Sequence, residues 1–195
     1  MIKKVLFLSL IFFTIITQLI AIEPDVFVQS TVNRASKLLS EDLSKDQKIE
    51  ELKLIAKDTV DIKGIGFYTL GPKRKTLNDD QKSKYSELFE QYFLKSFSSR
   101  LAEYSNPEIE VNSKKKMNEN YTIVNSTLVA TNTRPKVEIN WRVYTKDPEN
   151  LLIRDLIIEG LSLVRTQKEE FASIINSNDG NIDALLQNLT DFSNK

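Results

Sequence analysis

The sequence predicts an α+β fold in which an antiparallel sheet follows one set of helices and precedes another. Apolar residues recur at helical spacing from Pro24 to Tyr104, alternate after Pro107, and return to helical spacing after Gly160. Helices, then a meander of strands, then more helices are typical of the α+β class. The chain has 195 residues, of which 41% are hydrophobic and 28% charged. These values fit one globular core and exclude collagen-like, disordered and multi-span membrane proteins.

Residues 1–21 predict a secretory signal peptide. Two lysines precede an apolar run from Val5 to Ile16, which is shorter than the ~20 residues that span a bilayer. Ala21 provides a small residue at a plausible cleavage site. We therefore expect an exported protein in which residues 22–195 form a single domain. Its net charge would be about −2, so nucleic acid is not an expected partner.

The first helices are predicted from apolar stripes and their end signals. Pro24 and Asp25 should open a helix that runs to about Leu43, and Ser44 is a good N-cap for a second helix. The apolar stretch 62–70 follows, and Gly71-Pro72 must end any helix there, because proline cannot continue it.

The strongest helical pattern is an aromatic stripe that begins after an N-cap at Asn78 or Asp79 and covers about 26 residues. The stripe consists of Tyr85, Leu88, Phe89, Tyr92, Phe93, Phe97, Leu101 and Tyr104. Packing into a protein core is the ordinary explanation of such a stripe. Because so many aromatic residues are unusual on one helix, the alternative is that the stripe lines a cavity for an apolar ligand.

Four strands are predicted after Pro107 from alternation of apolar and polar residues. They cover about 109–111, 121–130, 137–144 and 151–158. The third strand places Val137, Ile139, Trp141 and Val143 on one face, which indicates a sheet that is covered on that face. Gly160 ends the fourth strand, and two further helices are predicted over about 162–177 and 182–192.

The residue types present exclude most familiar enzyme chemistry. Cysteine and histidine are both absent, which excludes disulfides, thiolate metal sites, cysteine nucleophiles and Ser-His-Asp triads. Asp155 and Glu159 are candidate paired carboxylates, although acids at strand ends more often form ion pairs. Ser113 and Lys116 match a Ser-x-x-Lys spacing, but in what is expected to be an exposed basic loop. We therefore predict no catalytic residue, metal or cofactor.

The carboxy-terminal part of the chain resembles a known family. Residues 154–164 have the sequence R-D-L-I-I-E-G-L-S-L-V, and Lys168 and Phe171 follow them. This segment is similar to the pattern Y-D-V-x-V-E-G-V-S-L-V-x-N-Y-R-x-x-F of the MlaC family, also called the toluene-tolerance auxiliary family. Shorter similarities within residues 24–93 extend the resemblance to nearly all of the mature chain. The chain departs from the pattern at Arg154, where the family has tyrosine.

The resemblance implies a periplasmic phospholipid carrier that is not an enzyme. Such a carrier shuttles lipid between two membrane complexes. One is an outer-membrane complex with an MlaA-type lipoprotein, and the other is an inner-membrane ABC transporter complex with an MlaD-type subunit. This transport maintains outer-membrane lipid asymmetry. The expected fold has helices packed on one face of a curved antiparallel sheet of about four strands, around an apolar cavity. Because two acyl chains must be shielded from water, the cavity should reach or exceed the upper end of the usual ~300–1,000 Å³ range. A monomer is expected.

The candidate lipid-binding residues are apolar side chains that would solvate acyl chains. They are Phe67, Leu70, Phe89, Tyr92, Phe93, Val124, Ile139, Trp141, Ile157 and Val164. The basic triplet Lys73, Arg74 and Lys75 joins two of the elements that carry them. We expect this triplet to contact a partner or the lipid headgroup, and a solvated loop is the alternative.

Two other functions remain compatible with these residues. An enzyme that acts on an envelope lipid or sugar through carboxylates alone would need two acids that converge in a cleft. A ligand-free periplasmic interaction module would have a filled core and an exposed apolar patch.

Overall fold

The structure, a computed structural model, describes residues 22–194, and the predicted signal peptide at 1–21 lies outside the described residues. The helices of this part are α1 (Pro24–Ser40), α2 (Lys45–Thr59), α3 (Ile62–Thr69), α4 (Asp79–Leu101), α5 (Leu163–Asn176) and α6 (Ile182–Ser193). The strands are β1 (Ile109–Lys116), β2 (Tyr121–Leu128), β3 (Val137–Tyr144), β4 (Leu152–Ile158) and β5 (Leu161–Ser162). The predicted α+β class is confirmed, and helices flank one open antiparallel sheet.

Capping boxes start two of the helices. The Ser44 hydroxyl accepts from the Gln47 backbone N–H at 3.2 Å, and the Gln47 side chain accepts from the Ser44 N–H at 3.0 Å. Asn78 and Gln81 repeat this exchange at the start of α4. Because each exchange satisfies two backbone groups that the helix leaves unpaired, it fixes where the helix begins. Ser44 is the predicted N-cap, and Asn78 rather than Asp79 caps α4.

Two helices are shorter than their apolar stripes predict. α1 ends at Ser40 rather than near Leu43, and α4 ends at Leu101 rather than at Tyr104. Residues 62–69 are helical, and a short 3₁₀ helix, Gly71–Lys75, follows them. Gly71 has a φ of +56°, a value that glycine adopts without strain, so the chain turns where the sequence predicts a helix end.

β1 is longer than predicted. The expectation of a basic loop at residues 113–116 is wrong, because these residues pair with β2 from Ser113↔Asn125 to Lys116↔Thr122. Their side chains are exposed, and so is most of the strand. An edge strand can carry lysines in this way, since charge on the edge discourages pairing with other chains.

The sheet is an antiparallel meander in the order β1-β2-β3-β4-β5. Val124, Leu128, Ile139, Trp141 and Val143 are buried on its inner face, as the one-sided pattern of the third strand predicts. The very short strand β5 is additional to the four predicted strands. It pairs with the end of β4 through a two-residue turn, Glu159-Gly160, in which both φ angles are positive, as a tight hairpin requires.

A bulge in β4 changes which residues reach the inner face. Arg142 pairs with Asp155, whereas the next residue, Val143, pairs with Ile153, so Arg154 is an extra residue in β4. After the bulge, Leu156 pairs with Trp141 on the inner face. Ile157 therefore lies on the opposite face, where it pairs with Asn140 and Ser162.

The buried apolar residues form two clusters of unequal size. The larger cluster joins the sheet to all six helices, and Val28 and Val32 of α1 and Ala56 of α2 belong to it. The smaller cluster contains Leu38, Leu39 and Leu52 of the α1–α2 pair, with Leu101 packed against them. None of the helices within residues 22–194 is long and apolar enough to cross a bilayer.

Candidate functional site

An apolar cavity of about 200 Å³ lies between the α1–α2 pair, the second half of α4 and the inner face of the sheet. The helices line it with Val32, Ala35, Leu39, Ile55, Ala56, Phe93, Phe97 and Leu101. The strands line it with Ile109, Leu128, Ile139, Trp141, Ile153, Leu156 and Ile158. Among the described residues, Asp155 is the only charged one in the lining, so the cavity suits an apolar ligand.

Several polar groups of the wall have hydrogen-bond partners within the wall. Trp141 donates from its indole nitrogen to the Ser126 hydroxyl at 2.8 Å, and this hydroxyl donates to the Ile139 carbonyl at 3.0 Å. Thr31 and Thr59 each donate to a carbonyl of their own helix, at 2.9 and 2.8 Å. Because these groups already have partners, the surface that faces the cavity is apolar, although the wall contains hydroxyl groups.

Asp155 is 2% exposed and joins β4 to the start of α5. Its carboxylate accepts from the Ser162 hydroxyl at 2.7 Å and from the Val164 backbone N–H at 3.2 Å, and Arg142 lies 3.6 Å away. Glu159 is exposed and its side chain accepts from the Glu138 backbone N–H. Each carboxylate therefore has a structural partner, and residues 22–194 contain no cluster of acids that could hold a metal ion.

Two residues that line the cavity, Tyr104 and Leu163, are also exposed to solvent. Both side chains line the cavity, and both are about 40% exposed, at 39% and 40%. A large apolar side chain that borders both an interior space and water is expected at the entrance of a site for an apolar ligand. These two residues therefore mark a mouth.

The aromatic stripe of α4 divides between the core and the cavity. Phe89 packs against Phe171 of α5 with ring centres 6.2 Å apart, and Tyr85 lies 6.4 Å from the same ring. The Tyr85 hydroxyl contacts the Thr69 hydroxyl at 2.8 Å and the Gly66 carbonyl at 3.1 Å, and burial raises the pKa of Tyr85. Further along, the rings of Phe93 and Phe97 stack at 5.4 Å and line the cavity.

The structure brings together four of the predicted lipid-binding residues. Phe93, Ile139, Trp141 and Val164 line the cavity. Leu70, Phe89 and Val124 are buried within the larger core cluster, and Phe67 and Tyr92 pack against it. The bulge in β4 places Ile157 on the other face of the sheet. The identity of the lipid-binding residues stays a prediction.

The basic triplet lies on the 3₁₀ helix Gly71–Lys75, away from the apolar cavity. Arg74 and Lys75 are exposed, and Lys73 is half-buried. Arg74 lines a second, open pocket, together with Tyr68, Tyr121, Arg142 and Arg154. The triplet lies between α3 and α4, and its contact with a partner or headgroup stays a prediction.

The contributions of α1 and α2 to the cavity were not predicted. Their apolar stripes are visible in the sequence, but nothing local distinguishes a stripe that fills a core from one that borders a space. A usable signal is the small residue within each stripe, Ala35 and Ala56, because an alanine among large apolar residues leaves room. Phe97 and Leu101 also belong to the predicted stripe and line the cavity.

The cavity is smaller than the resemblance leads one to expect. Its volume of about 200 Å³ is below the usual range of ~300–1,000 Å³ for ligand pockets, whereas a diacyl lipid would need the upper end of that range. A ligand of that size could enter only if the walls moved apart. The α1–α2 pair forms one wall, with a small apolar cluster of its own, although Val28, Val32 and Ala56 also belong to the larger core cluster.

Comparisons with known proteins agree with this architecture. The family model described as "MlaC protein" matches residues 29–191. A solved structure with a TM-score of 0.74 and 20% identity covers 88% of this chain and 97% of its own length. It is described as a phospholipid-binding protein from Ralstonia solanacearum in complex with a phospholipid. No curated protein sequence matches significantly.

Proposed function

The chain belongs to the MlaC family, and we propose that it is a periplasmic phospholipid carrier. The carrier shuttles lipid between an MlaA-type outer-membrane complex and an MlaD-type inner-membrane ABC transporter complex. The observation that carries the proposal is the apolar cavity with a mouth at Tyr104 and Leu163. The phospholipid in the Ralstonia solanacearum structure of similar fold supports the same ligand class. Transfer of a lipid breaks no bond, so the function needs no catalytic residue.

The cavity acts by replacing the bilayer around the acyl chains. Each methylene that leaves an apolar environment for water costs about 0.8 kcal/mol, so a lipid cannot cross the aqueous space unshielded. The walls shield the chains through apolar side chains from the helices and the sheet. The charged headgroup would stay outside, because burial of an unpaired charge is costly. We propose that the α1–α2 pair moves away from the sheet when lipid enters.

A matched pair of variants tests whether lipid occupies this cavity. Ala35 lines the cavity on α1, and Ala172 is exposed on α5. We expect wild-type protein, purified without detergent, to yield diacyl phospholipid near one per chain by mass spectrometry of an organic extract. Ala35→Phe should lose most of this lipid, and Ala172→Phe should retain it. An extract without stoichiometric lipid from the wild type would contradict the proposal.

Trp141 gives a second readout, because it is the only tryptophan of the chain and lines the cavity. Phospholipids with brominated acyl chains should quench its emission when they load into delipidated wild-type protein. Quenching should be weaker in Ala35→Phe and unchanged in Ala172→Phe. Equal quenching in all three proteins would place the acyl chains elsewhere.

The basic triplet Lys73, Arg74 and Lys75 is proposed to act in lipid handover. Exposed cations attract acidic partner surfaces and phosphate over a Debye length of ~8 Å, and salt weakens that attraction. Replacement of all three by Glu should leave the total amount of bound lipid and the folding nearly intact. It should slow transfer to acceptor membranes or partner complex, most clearly at low salt. Transfer rates that do not change across a salt series would indicate a solvated loop.

A further inference from the structure

A second pocket, whose strand residues Tyr121 and Arg142 lie on the face of the sheet opposite the cavity, is lined by three arginines. We call it the arginine pocket; its charged residues are Arg74, Arg142 and Arg154, and Tyr68 and Tyr121 flank them. Within the described part of the chain, no carboxylate lines it. Three guanidinium groups around one open space form an uncommon arrangement, because like charges repel unless an anion joins them.

Arg154 is held in place by its neighbours and forms the fixed part of the pocket. It donates to the Asp61 carboxylate at 2.6 Å and to the Tyr121 hydroxyl at 2.8 Å. Its guanidinium lies 3.8 Å from the centre of the Tyr144 ring, the separation of a stacked cation–π contact. Burial alone would lower the pKa of Arg154, but these hydrogen bonds raise it. Because the Asp61 carboxylate neutralises the charge of Arg154, Arg154 contributes more to the shape of the pocket than to the attraction of an anionic ligand.

Arg142 and Arg74 supply the unbalanced charge. Arg142 is 38% exposed and lies 3.6 Å from Asp155, whose carboxylate already accepts two hydrogen bonds from Ser162 and Val164. Arg142 therefore retains donors that face the pocket. Arg74 is exposed and takes part in no ion pair within residues 22–194.

The arginine pocket and the apolar cavity share part of their walls. Ile65 of α3 and Val164 of α5 line both spaces. Val164 directly follows Leu163, the exposed residue at the mouth of the cavity. A molecule with its apolar part in the cavity and a polar part beyond Ile65 and Val164 would place that polar part among the arginines.

We propose that the arginine pocket binds the phosphodiester of the lipid headgroup and favours headgroups with a net negative charge; this rests on the proposed carrier function. Arginine forms paired hydrogen bonds to phosphate oxygens, which suits it to this group. A zwitterionic headgroup would bring its ammonium next to three guanidinium groups, and repulsion would offset part of the gain from the phosphate. Phosphatidylglycerol is therefore retained in preference to phosphatidylethanolamine.

A competition for loading tests the preference. Delipidated protein is incubated with vesicles of equal phosphatidylglycerol and phosphatidylethanolamine, reisolated, and its lipid quantified by mass spectrometry. Wild-type protein should be enriched in phosphatidylglycerol by up to about fivefold, the factor that a partly exposed charge interaction provides. Arg74→Gln should lose most of this enrichment. Arg142→Lys should lose part of it, because lysine keeps the charge and lacks the paired donors. The exposed Arg100 of α4 provides a matched control, and Arg100→Gln should keep the wild-type ratio.

The outcomes separate this inference from the proposed function. A bound ratio equal to that of the vesicles in every protein would overturn the inference while the carrier function stands. Failure of the wild type to load either lipid would overturn both. Glycerol 3-phosphate distinguishes a headgroup from a free phosphate ester. If it raises the melting temperature of lipid-free protein as much as lipid loading does, the pocket serves a soluble ligand and the headgroup assignment is wrong.

Discussion

The two halves of α4 have the same aromatic periodicity but different surroundings. In the filled half, residues 79–92, the rings of Tyr85 and Phe89 meet Phe171 and are almost fully buried. In the cavity half, residues 93–101, Phe93 and Phe97 stack on each other and border about 200 Å³ of empty volume. Both halves are parts of one continuous helix. The difference therefore comes from the elements packed opposite each half, and not from the helix itself.

The opposing elements differ in side-chain size and in how they are anchored. Opposite the filled half, α3 approaches closely at Gly66, and α5 and α6 add Phe171 and Phe192. Opposite the cavity half, α1 and α2 present Ala35 and Ala56. Large rings that interlock give a rigid core, whereas small side chains opposite large ones leave a space that the protein can use for a ligand. The filled half thus supports the helix while the cavity half remains available for lipid.

The largest expected effect is the loss of a ring from the filled half. Phe89 is 2% exposed, and its removal would leave a void that rigid neighbours cannot fill. Phe89→Ala should lower the free energy of unfolding by about 3–5 kcal/mol. Phe97→Ala should cost only about 1–2 kcal/mol in delipidated protein, because this ring is half-buried and already borders space. Urea unfolding measures both losses of stability, provided that the two variants and the wild type have equal m-values. Equal costs would mean that the cavity half is as tightly packed as the filled half.

Removal of lipid should affect the cavity half next most strongly. A ligand that binds only the folded state adds about 2.7 kcal/mol of stability at a hundredfold excess over its Kd. Delipidated protein should therefore melt at a lower temperature than the loaded protein, and reloading should restore the difference. Hydrogen exchange should show the greatest gain of protection on loading in α1 and α2. Identical melting before and after delipidation would mean that the apolar residues only pack against one another.

A smaller effect is expected where α3 meets the filled half. A Cβ atom on Gly66 would lie 2.7 Å from Cδ1 of Phe89, whose ring is enclosed. Overpacking costs about 1–3 kcal/mol and alanine regains up to about 1 kcal/mol of helix propensity, so Gly66→Ala should destabilise by about 1 kcal/mol. Lipid content should not change, because Gly66 does not line the cavity. A double variant with Phe89→Leu should lose less stability than the sum of the two single variants. Simple additivity would show that the close approach is not limiting.

The smallest effect is expected from the ion pairs that tie the start of α1 to β1. Lys114 contacts Asp25 at 2.7 Å and Glu23 at 2.6 Å, and the hydrogen bond from Lys114 lowers the pKa of Asp25. Because the pKa of Asp25 is lower in the folded state, its ion pair with Lys114 stabilises the fold at pH values above the ordinary pKa of 3.8. This stabilisation is lost as the pH falls through the pKa that Asp25 has in the folded protein. Lys114→Gln should lower the melting temperature slightly at pH 7, and this difference should disappear in acid. A difference that persists once Asp25 is fully protonated would indicate that Lys114 acts through packing of its alkyl chain.

The types and order of the elements can be predicted from the sequence, because they depend on local signals. Ser44 and Asn78 cap the helices that follow them, Gly160 ends the fourth strand, and the change of period near Pro107 marks the start of the sheet. Each signal involves residues a few positions apart, so no knowledge of the tertiary structure is needed. The resemblance that identified the family rests on such residues as well.

Which apolar residues border a space depends on contacts between distant parts of the chain. The stripe of α4 has one period from Tyr85 to Leu101, and the split at Phe93 depends on what packs opposite it. The bulge at Arg154 reverses the alternation of β4, which no pattern within that strand shows, and so moves Ile157 to the other face. The arginine pocket joins residues from α3, the 3₁₀ helix and three strands. Local spacing cannot define such sites, because the contacts that form them are made between residues far apart in the chain.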